Sequence, residues 1–486
     1  MAHHFANGIP AHLLMWQRVR EYAVPPSMIE TATARRAVGD WAGACAAARI
    51  DVDLDLRAVR DRHGTDLARR LRADLRRLAP DLLRWHMPRI APDGRLRPGL
   101  TVSLARYPGS GATTPHLVVR TPPARADAGQ RMSLSLWDGS GGDPVGHHPH
   151  PHPDRRFRLD LHRHLWDADR SGELARRCGA VGAGSAPAPR DVTGHATPDL
   201  PNAAWAVGRW AAEAEYLLRA EERPRDSFTV RLGPRTRAVL RLVAPDDTHV
   251  PTFRPVPEAL PSQEVAALPV LPEAAARVLP DLELLQAGLV TAGELHPLVA
   301  PALTGHGAPS GPAASGPRAG LVPGSGDPHR VECRGEIHRI ALRDGVLTAV
   351  DHDADQLRRE DLLAALGGPP LPCLRAIDAV HRSPEALPAV RERLGHGDAA
   401  GALAVVEALL GPGAVLRDGP LRDALESAAA RRVEHGLYRS GLVAAHPAAG
   451  AARTEAGHRP RADRRIPLAM RSKRGSRVRP RTGLAS

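Results

Sequence analysis

The chain has 486 residues, a hydrophobic share of 42% and a formal charge of +12, which predicts about two to four domains with apolar cores. Lysine occurs once, at Lys473. The sequence therefore excludes P-loop nucleotide hydrolysis, protein-kinase phosphoryl transfer and Schiff-base catalysis, which all need a lysine inside the folded core.

The N-terminal segment, Met1 to Gln17, lacks the basic and apolar regions of a signal peptide, and no run of about 18 apolar residues is present. We therefore expect no membrane span and a cytoplasmic location. Cys45, Cys178, Cys333 and Cys373 are far apart in the sequence, so no disulfide framework is predicted. Cys45 and Cys373 lie in apolar runs and are interpreted as small core residues.

A helix–turn–helix unit occurs twice, and the octets Gly39–Ala46 and Gly397–Ala404 agree at six of eight positions. Glycine permits the left-handed turn that ends the first helix, and the following aspartate caps the second. Ser27 and Ser383 are expected to cap the first helices. The unit resembles a tetratricopeptide-type hairpin over about twenty residues at each end, but those repeats run in tandem. We therefore assign no family.

The pattern of residues 10–92 predicts helices. Leu67, Leu71, Leu75 and Leu78 are expected on one face of an amphipathic helix. Alternation of apolar and polar residues then replaces the helical period, which is typical of sheets with one face in water. It predicts strands at 101–107, 116–121, 131–137 and 157–162.

Further along, the pattern predicts a helix from Asn202, a hairpin over 228–243, a Pro-rich extended segment over 245–272 and a capping box at Thr291-x-x-Glu294. A second hairpin is expected around Asp344-Gly345, which supplies the positive φ angles of a two-residue turn. Helices are then predicted at 355–366, 372–381, 384–394, 398–410 and 420–435, and the fourth is expected to be buried nearly all round.

These elements predict an α+β, multi-domain protein with helical modules at both ends and small antiparallel sheets between them. The predicted domains are a helical domain at 10–92, a β-meander plus helix at 95–178, a helix, hairpin and helical pair at 200–303, a hairpin plus helical bundle at 329–441, and a disordered basic tail at 442–486.

Histidines are concentrated in one region, at His147, His148, His150, His152, His162 and His164. On the predicted strand, His162 and His164 would share the water-facing side with Asp160, and imidazole and carboxylate suit Zn, Ni or Fe. The alternative is a low-complexity loop that collects metal adventitiously. Because no well-spaced third ligand is visible, the sequence assigns no metal site.

Two groups of acidic residues are candidate sites. Asp51, Asp53 and Asp55 imitate the start of an EF-hand loop, but Leu56 replaces its glycine and Arg62 its glutamate, so we interpret them as caps or solvated residues. The glutamates of the helix after Asn202 are interpreted as a solvated face: Glu213, Glu215, Glu221 and Glu222.

We predict a non-enzymatic protein that docks on another protein, because helical hairpins are present and catalytic motifs are missing from the sequence. The first alternative is a metal-dependent enzyme that uses the His-rich region. The second is a protein that contacts nucleic acid through its basic tail, where the segment from Arg453 to the end has eleven basic and two acidic residues. No catalytic, cofactor-binding or metal-binding residue is assigned.

Overall fold

The computed structural model describes residues 9–108, 113–139, 148, 152–178, 205–223, 226–234, 236–243, 250–256, 260–304, 330–343, 346–411, 413 and 415–441. It divides into one unit at Met1–Gly436 and a second at Leu437–Ser486. The predicted tail at 442–486, His147, His150 and the Asp344-Gly345 turn lie outside the described residues. The predicted α+β class is confirmed, since helices combine with small sheets. Within the described part of the chain, no helix is long and apolar enough to cross a membrane.

The N-terminal region is mostly helical, as predicted. Leu67, Leu71 and Leu75 are buried on one face of its longest helix, which explains why their spacing of four predicts the element. One strand, β1 (Ile50–Asp53), interrupts the helices. The helices are α1 (Ala11–Tyr22), α2 (Pro26–Ala37), α3 (Trp41–Ala47), α4 (Leu56–His63), α5 (Thr65–Arg77) and α6 (Pro80–His86).

Strand β1 belongs to a four-stranded sheet with the order β1-β6-β5-β4. It pairs in parallel with β6, whereas β4, β5 and β6 are antiparallel. The three strands predicted at 101–107, 116–121 and 131–137 are confirmed. The strands of this region are β2 (Arg89–Ile90), β3 (Arg95–Leu96), β4 (Thr101–Arg106), β5 (His116–Arg120) and β6 (Met132–Trp137).

The strand predicted at 157–162 is wrong. The segment forms turns, with only an isolated bridge between Ser103 and Arg158, and short 3-10 helices follow at Arg163–Leu165 and Ala168–Glu173. Phe157 and Leu159 are buried, as the alternation implies, but Arg158 and His162 are buried as well, so burial does not alternate along this loop. Helix α7 (Leu174–Arg177) ends the region.

The middle region contains a three-stranded antiparallel sheet in the order β7-β8-β9, so the predicted hairpin is confirmed. The segment predicted as extended contains a strand and a short helix instead. The capping box of Thr291 and Glu294 is present. The elements are α8 (Trp210–Ala220), β7 (Ser227–Arg231), β8 (Arg237–Val243), β9 (Thr252–Pro255), α9 (Ser262–Ala267), α10 (Glu273–Ala276), α11 (Pro280–Gln286) and α12 (Ala300–Thr304).

The C-terminal region has a second three-stranded sheet, β10-β11-β12, followed by helices. The predicted hairpin is confirmed by the pairing of Arg343 with Val346. A turn at Arg334-Gly335, which the sequence analysis did not predict, adds a further strand, β10, before this hairpin. The elements are β10 (Arg330–Cys333), β11 (Glu336–Arg343), β12 (Val346–Ala349), α13 (Ala354–Ala365), α14 (Pro372–Arg382), α15 (Leu387–Gly395), α16 (Ala399–Leu410) and α17 (Pro420–Arg439).

Both Gly-Asp turns form as predicted. Gly39 and Gly397 have φ angles of 77° and 82°, and the carboxylates of Asp40 and Asp398 accept hydrogen bonds from backbone N–H groups of α3 and α16. The serine caps are wrong: Pro25 precedes α2 and Ala386 precedes α15, each without a side-chain cap. In both cases a proline within the first turn supplies the start of the helix.

Helix α16 is less buried than its composition suggests. Ala402, Val406 and Leu410 are buried, but Leu403 is 48% exposed. The expectation of burial nearly all round is therefore wrong.

Three apolar clusters hold the larger unit together. The first combines the N-terminal helices, the four-stranded sheet, the loop at 157–166 and residues around α11. The second lies between the β10–β12 sheet and helices α14 to α16. The third lies between α8 and the β7–β9 sheet. Since the first cluster draws on residues from 13 to 299, it places side chains from distant parts of the sequence around one space.

Candidate functional site

A pocket of about 410 Å³ lies beside the first apolar cluster. Helices α1 and α6, the loop at 156–165, helix α7 and residues 273–283 form its walls. Its apolar lining includes Trp16, Met87, Val102, Phe157, Leu165 and Leu174. Pockets of about 300–1,000 Å³ with an apolar lining and a few convergent polar groups are typical small-molecule sites.

The charged lining of the pocket is strongly basic. Eight arginines line it against two glutamates, Glu273 and Glu283. The arginines are Arg20, Arg89, Arg97, Arg156, Arg158, Arg177, Arg209 and Arg277. The sign of the field inside the pocket therefore depends on how many of these guanidinium groups are already neutralised.

Six of the arginines have an ion-paired carboxylate, which fixes their positions. Arg20 pairs with Asp281 at 2.8 Å, and the two side chains are 3% and 0% exposed. The other pairs are Arg156–Glu273, Arg158–Asp160, Arg177–Glu213, Arg209–Glu213 and Arg277–Glu273.

Arg89 and Arg97 differ from the other six. Arg89 is 7% exposed, and its guanidinium donates to the carbonyl oxygens of Gly94 and Arg84. Arg97 lies over the ring of Phe157, with 6.0 Å between Cζ and the ring centroid. For both, Nε is enclosed and has no partner among the described residues, and no described carboxylate forms an ion pair with either group. Two guanidinium groups of the pocket residues thus have no described carboxylate partner.

Two histidines, the half-buried His86 and the buried His164, add uncharged polar atoms to the lining. Burial, followed by the charges of Arg20 and His296, holds the pKa of His86 well below its ordinary value. Burial, followed by His162 and Arg177, does the same to the pKa of His164. Nε2 of His86 and Nδ1 of His164 are enclosed without a partner in the described structure. Each ring is therefore neutral at pH 7 and offers one donor and one acceptor.

Burial and the nearby charge of Arg20 also lower the pKa of Arg89, to about 9. At neutral pH the group is still protonated. A buried charge without a counter-ion is destabilising in a low-dielectric interior. An anion bound in the pocket would offset this cost.

The predicted grouping of Asp160, His162 and His164 on the water-facing side of a strand is wrong. His162 is 1% exposed, and its ring contacts the Arg158 carbonyl oxygen at 3.0 Å and the Glu213 carboxylate at 3.1 Å. Both carboxylate oxygens of Asp160 accept hydrogen bonds from Arg158. Only His164 reaches the pocket. The three side chains therefore do not converge on one point.

The structure describes two histidines of the preceding loop, His148 and His152, and they have separate contacts. The ring of His148 contacts the Thr121 carbonyl oxygen at 2.9 Å, and His152 lies edge-on to Trp137. Among the described residues, the group with metal-ligand geometry lies elsewhere, at Cys333, His352 and Cys373.

The interpretation of the α8 glutamates as a solvated face is wrong for Glu213, which is 5% exposed. Burial opposes its ionisation, but hydrogen bonds from His162 and Arg177 outweigh burial and lower the pKa of the carboxyl group. Glu213 thereby fixes Arg177 at the edge of the pocket. Asp55, as expected, caps α4 by accepting from Arg57 and Ala58 N–H groups.

The pocket itself was missed because its residues come from distant parts of the chain: 12–20, 86–102, 156–178, Arg209 and 273–283. The sequence contains one local signal. Arg84, His86 and Arg89 lie close together in an otherwise apolar stretch that the structure buries.

Comparisons with protein families, curated protein sequences and solved structures gave no match.

Proposed function

We propose that the pocket binds a small organic anion that has a carboxylate or phosphate group on an apolar body. The observation that carries this proposal is the pair Arg89 and Arg97, two lining residues whose guanidinium groups have no described carboxylate partner. Guanidinium is the group that proteins use most for planar, bidentate recognition of carboxylate and phosphate.

The rest of the lining supports an amphipathic ligand. Phe157, Leu165 and Leu174 supply apolar surface, and an alkyl or aromatic body would bury against them. The neutral imidazoles of His86 and His164 supply further hydrogen bonds without adding charge. A small inorganic anion would leave most of the 410 Å³ unfilled.

Three eight-carbon probes test this ligand class: octanoate, octyl phosphate and 1-octanol, each below its micelle-forming concentration. A ligand that binds only the folded state raises the melting temperature with concentration. We expect octanoate or octyl phosphate to raise the melting temperature of the full chain, and 1-octanol to raise it far less. Equal shifts for all three would contradict the requirement for an anion, and no shift for any would contradict the proposal.

Docking on another protein stays a second proposal. Leu362, Leu363 and Leu366 support it, because they are 64%, 52% and 86% exposed on α13 and its C-terminal cap. A partner that co-purifies with the wild-type chain and is lost from Leu362→Asp/Leu366→Asp supports this proposal. The same partners on both chains would contradict it.

The nucleic-acid hypothesis also stays a prediction. The tail contains eleven basic and two acidic residues from Arg453 onward, so any binding is expected to be salt-sensitive and independent of base sequence. Deletion of residues 453–486 should then abolish retention on a DNA column, and unchanged retention would contradict it.

A further inference from the structure

Three side chains with metal-binding atoms meet in the C-terminal region, away from the pocket. Cys333 ends β10, His352 follows β12, and Cys373 is the second residue of α14. The two thiol sulfurs and one imidazole nitrogen all lie within 4.8 Å of one another. His352 and Cys373 lie 19 and 40 positions after Cys333 in the chain. The packing of α14 on the β10–β12 sheet brings the three residues together.

The separations fit a tetrahedral ion. A zinc ion with Zn–S bonds of about 2.3 Å and Zn–N bonds of about 2.0–2.1 Å holds its ligand atoms roughly 3.5–3.8 Å apart. The Cys373 sulfur lies 3.4 Å from Nε2 of His352. The side chains therefore need only small rotations to bind one ion.

The surroundings hold the three residues in place. Cys333 and Cys373 are both 0% exposed, within the second apolar cluster. The ring of His352 stacks on that of His338, with 4.2 Å between centroids and 6° between planes. Two buried thiols and one oriented imidazole form a ligand set that selects zinc over hard cations such as Mg²⁺ or Ca²⁺.

We propose that Cys333, His352 and Cys373 bind one Zn²⁺ ion through two thiolates and one imidazole. Binding releases the two thiol protons to solvent. The three residues leave a fourth position for water or an external ligand, the arrangement of zinc sites with two cysteines and one histidine that carry out catalysis. The ion would also tie α14 to the sheet. This proposal is independent of the anion pocket.

Cobalt substitution of the full chain tests the site. The chain is reduced, stripped of metal with a chelator and titrated with Co²⁺. We expect one equivalent to produce the visible bands of tetrahedral Co²⁺ and a thiolate-to-cobalt charge-transfer band, and Zn²⁺ to abolish both. The charge-transfer band reports sulfur ligands, so cobalt held only by the histidines at 147–152 does not produce it.

Matched variants assign the ligands. Cys373→Ser and His352→Ala should lose or strongly weaken the cobalt signal. Cys45→Ala, which changes another fully buried cysteine outside the cluster, should keep it. Absence of a charge-transfer band in the wild-type chain would overturn the proposal even if a variant failed to fold. A Cys333–Cys373 disulfide that persists under reducing conditions, or equal loss of the signal in Cys45→Ala, would also overturn it.

Discussion

Nη2 of Arg89 donates a hydrogen bond to the Arg84 carbonyl oxygen at 2.8 Å. This contact orients the Arg89 guanidinium in the pocket wall but leaves its charge without a described counter-ion. The charges of the other pocket arginines are mostly balanced in pairs, as with Arg177 and Glu213. Arg89 and Arg97 are therefore the residues at which we propose that an external anion binds.

The two Gly-Asp turns allow a matched test of how tightly each hairpin is packed. Gly39 and Gly397 both have positive φ, but a Cβ at Gly39 would meet nothing within 4 Å, whereas a Cβ at Gly397 would lie 2.1 Å from the Gly129 carbonyl oxygen. We expect Gly39→Ala to lower the free energy of unfolding by about 1–2 kcal/mol and Gly397→Ala to lower it by about 1–3 kcal/mol more. Urea denaturation of both variants measures the difference. Equal losses would show that the C-terminal hairpin does not pack as described.

Replacing Glu213 should destabilise the protein strongly, because Arg177 and His162 would lose their buried partner. We expect Glu213→Gln to lower the free energy of unfolding at pH 7 by about 3 kcal/mol. Glu215→Gln is the matched control on the same helix, since Glu215 forms a surface pair with Arg219, and its cost should stay below about 0.5 kcal/mol.

The cost of Glu213→Gln should also depend on pH. Because the folded pKa of Glu213 is lowered, its stabilising contribution is present above the ordinary carboxyl pKa and is lost as the pH falls through the folded value. The difference in free energy of unfolding between wild type and Glu213→Gln should therefore become smaller as the pH falls into the acid range. A difference that grows would contradict the role of the ionised carboxylate.

His396 should make stability fall in mild acid. It is 1% exposed and stacked on Tyr22. Neither ring nitrogen has a hydrogen-bond partner in the described structure, and Nε2 lies 3.8 Å from the Glu392 carboxylate. Burial, followed by the charges of Arg89 and Arg84, lowers its pKa to about 3. Between its ordinary pKa of 6.5 and that value, the unfolded chain binds a proton and the folded chain does not, so stability decreases as the pH falls.

The variant His396→Phe has no group that binds a proton at this position. We expect the wild type to lose about 2–3 kcal/mol more than the variant between pH 7 and pH 4.5. Denaturation curves at several pH values give the free energy of unfolding of each chain as a function of pH. The same pH dependence in both chains would contradict the pKa assigned to His396.

The elements that the sequence predicts well are those whose cause is local. Gly39-Asp40 and Gly397-Asp398 specify a turn and a cap within four residues, and the leucines of α5 specify a face. The strand at 157–162 was mispredicted because two of its polar residues are buried by tertiary contacts: Arg158 pairs with Asp160, and His162 contacts Glu213. The alternation of residue types therefore does not show which side chains of this loop face water.

The two candidate sites could not be predicted because non-local packing creates them. Cys373 was interpreted as a core residue and Cys333 was given no role, because forty positions of chain separate the two. Arg89 and Arg97 resemble the many other arginines in the sequence. What distinguishes them is the lack of a carboxylate partner among the described residues, which depends on tertiary structure.

Calorimetric titration of octanoate into the full chain and into Arg89→Gln/Arg97→Gln tests the anion pocket most directly, with Arg69→Gln, an exposed arginine on α5, as the matched control. Removing two charge-assisted contacts of about 1.5–3 kcal/mol each should weaken binding by at least about a hundredfold, while the control should bind as the wild type does. Equal affinity for octanoate in the wild-type and doubly substituted chains would contradict the account.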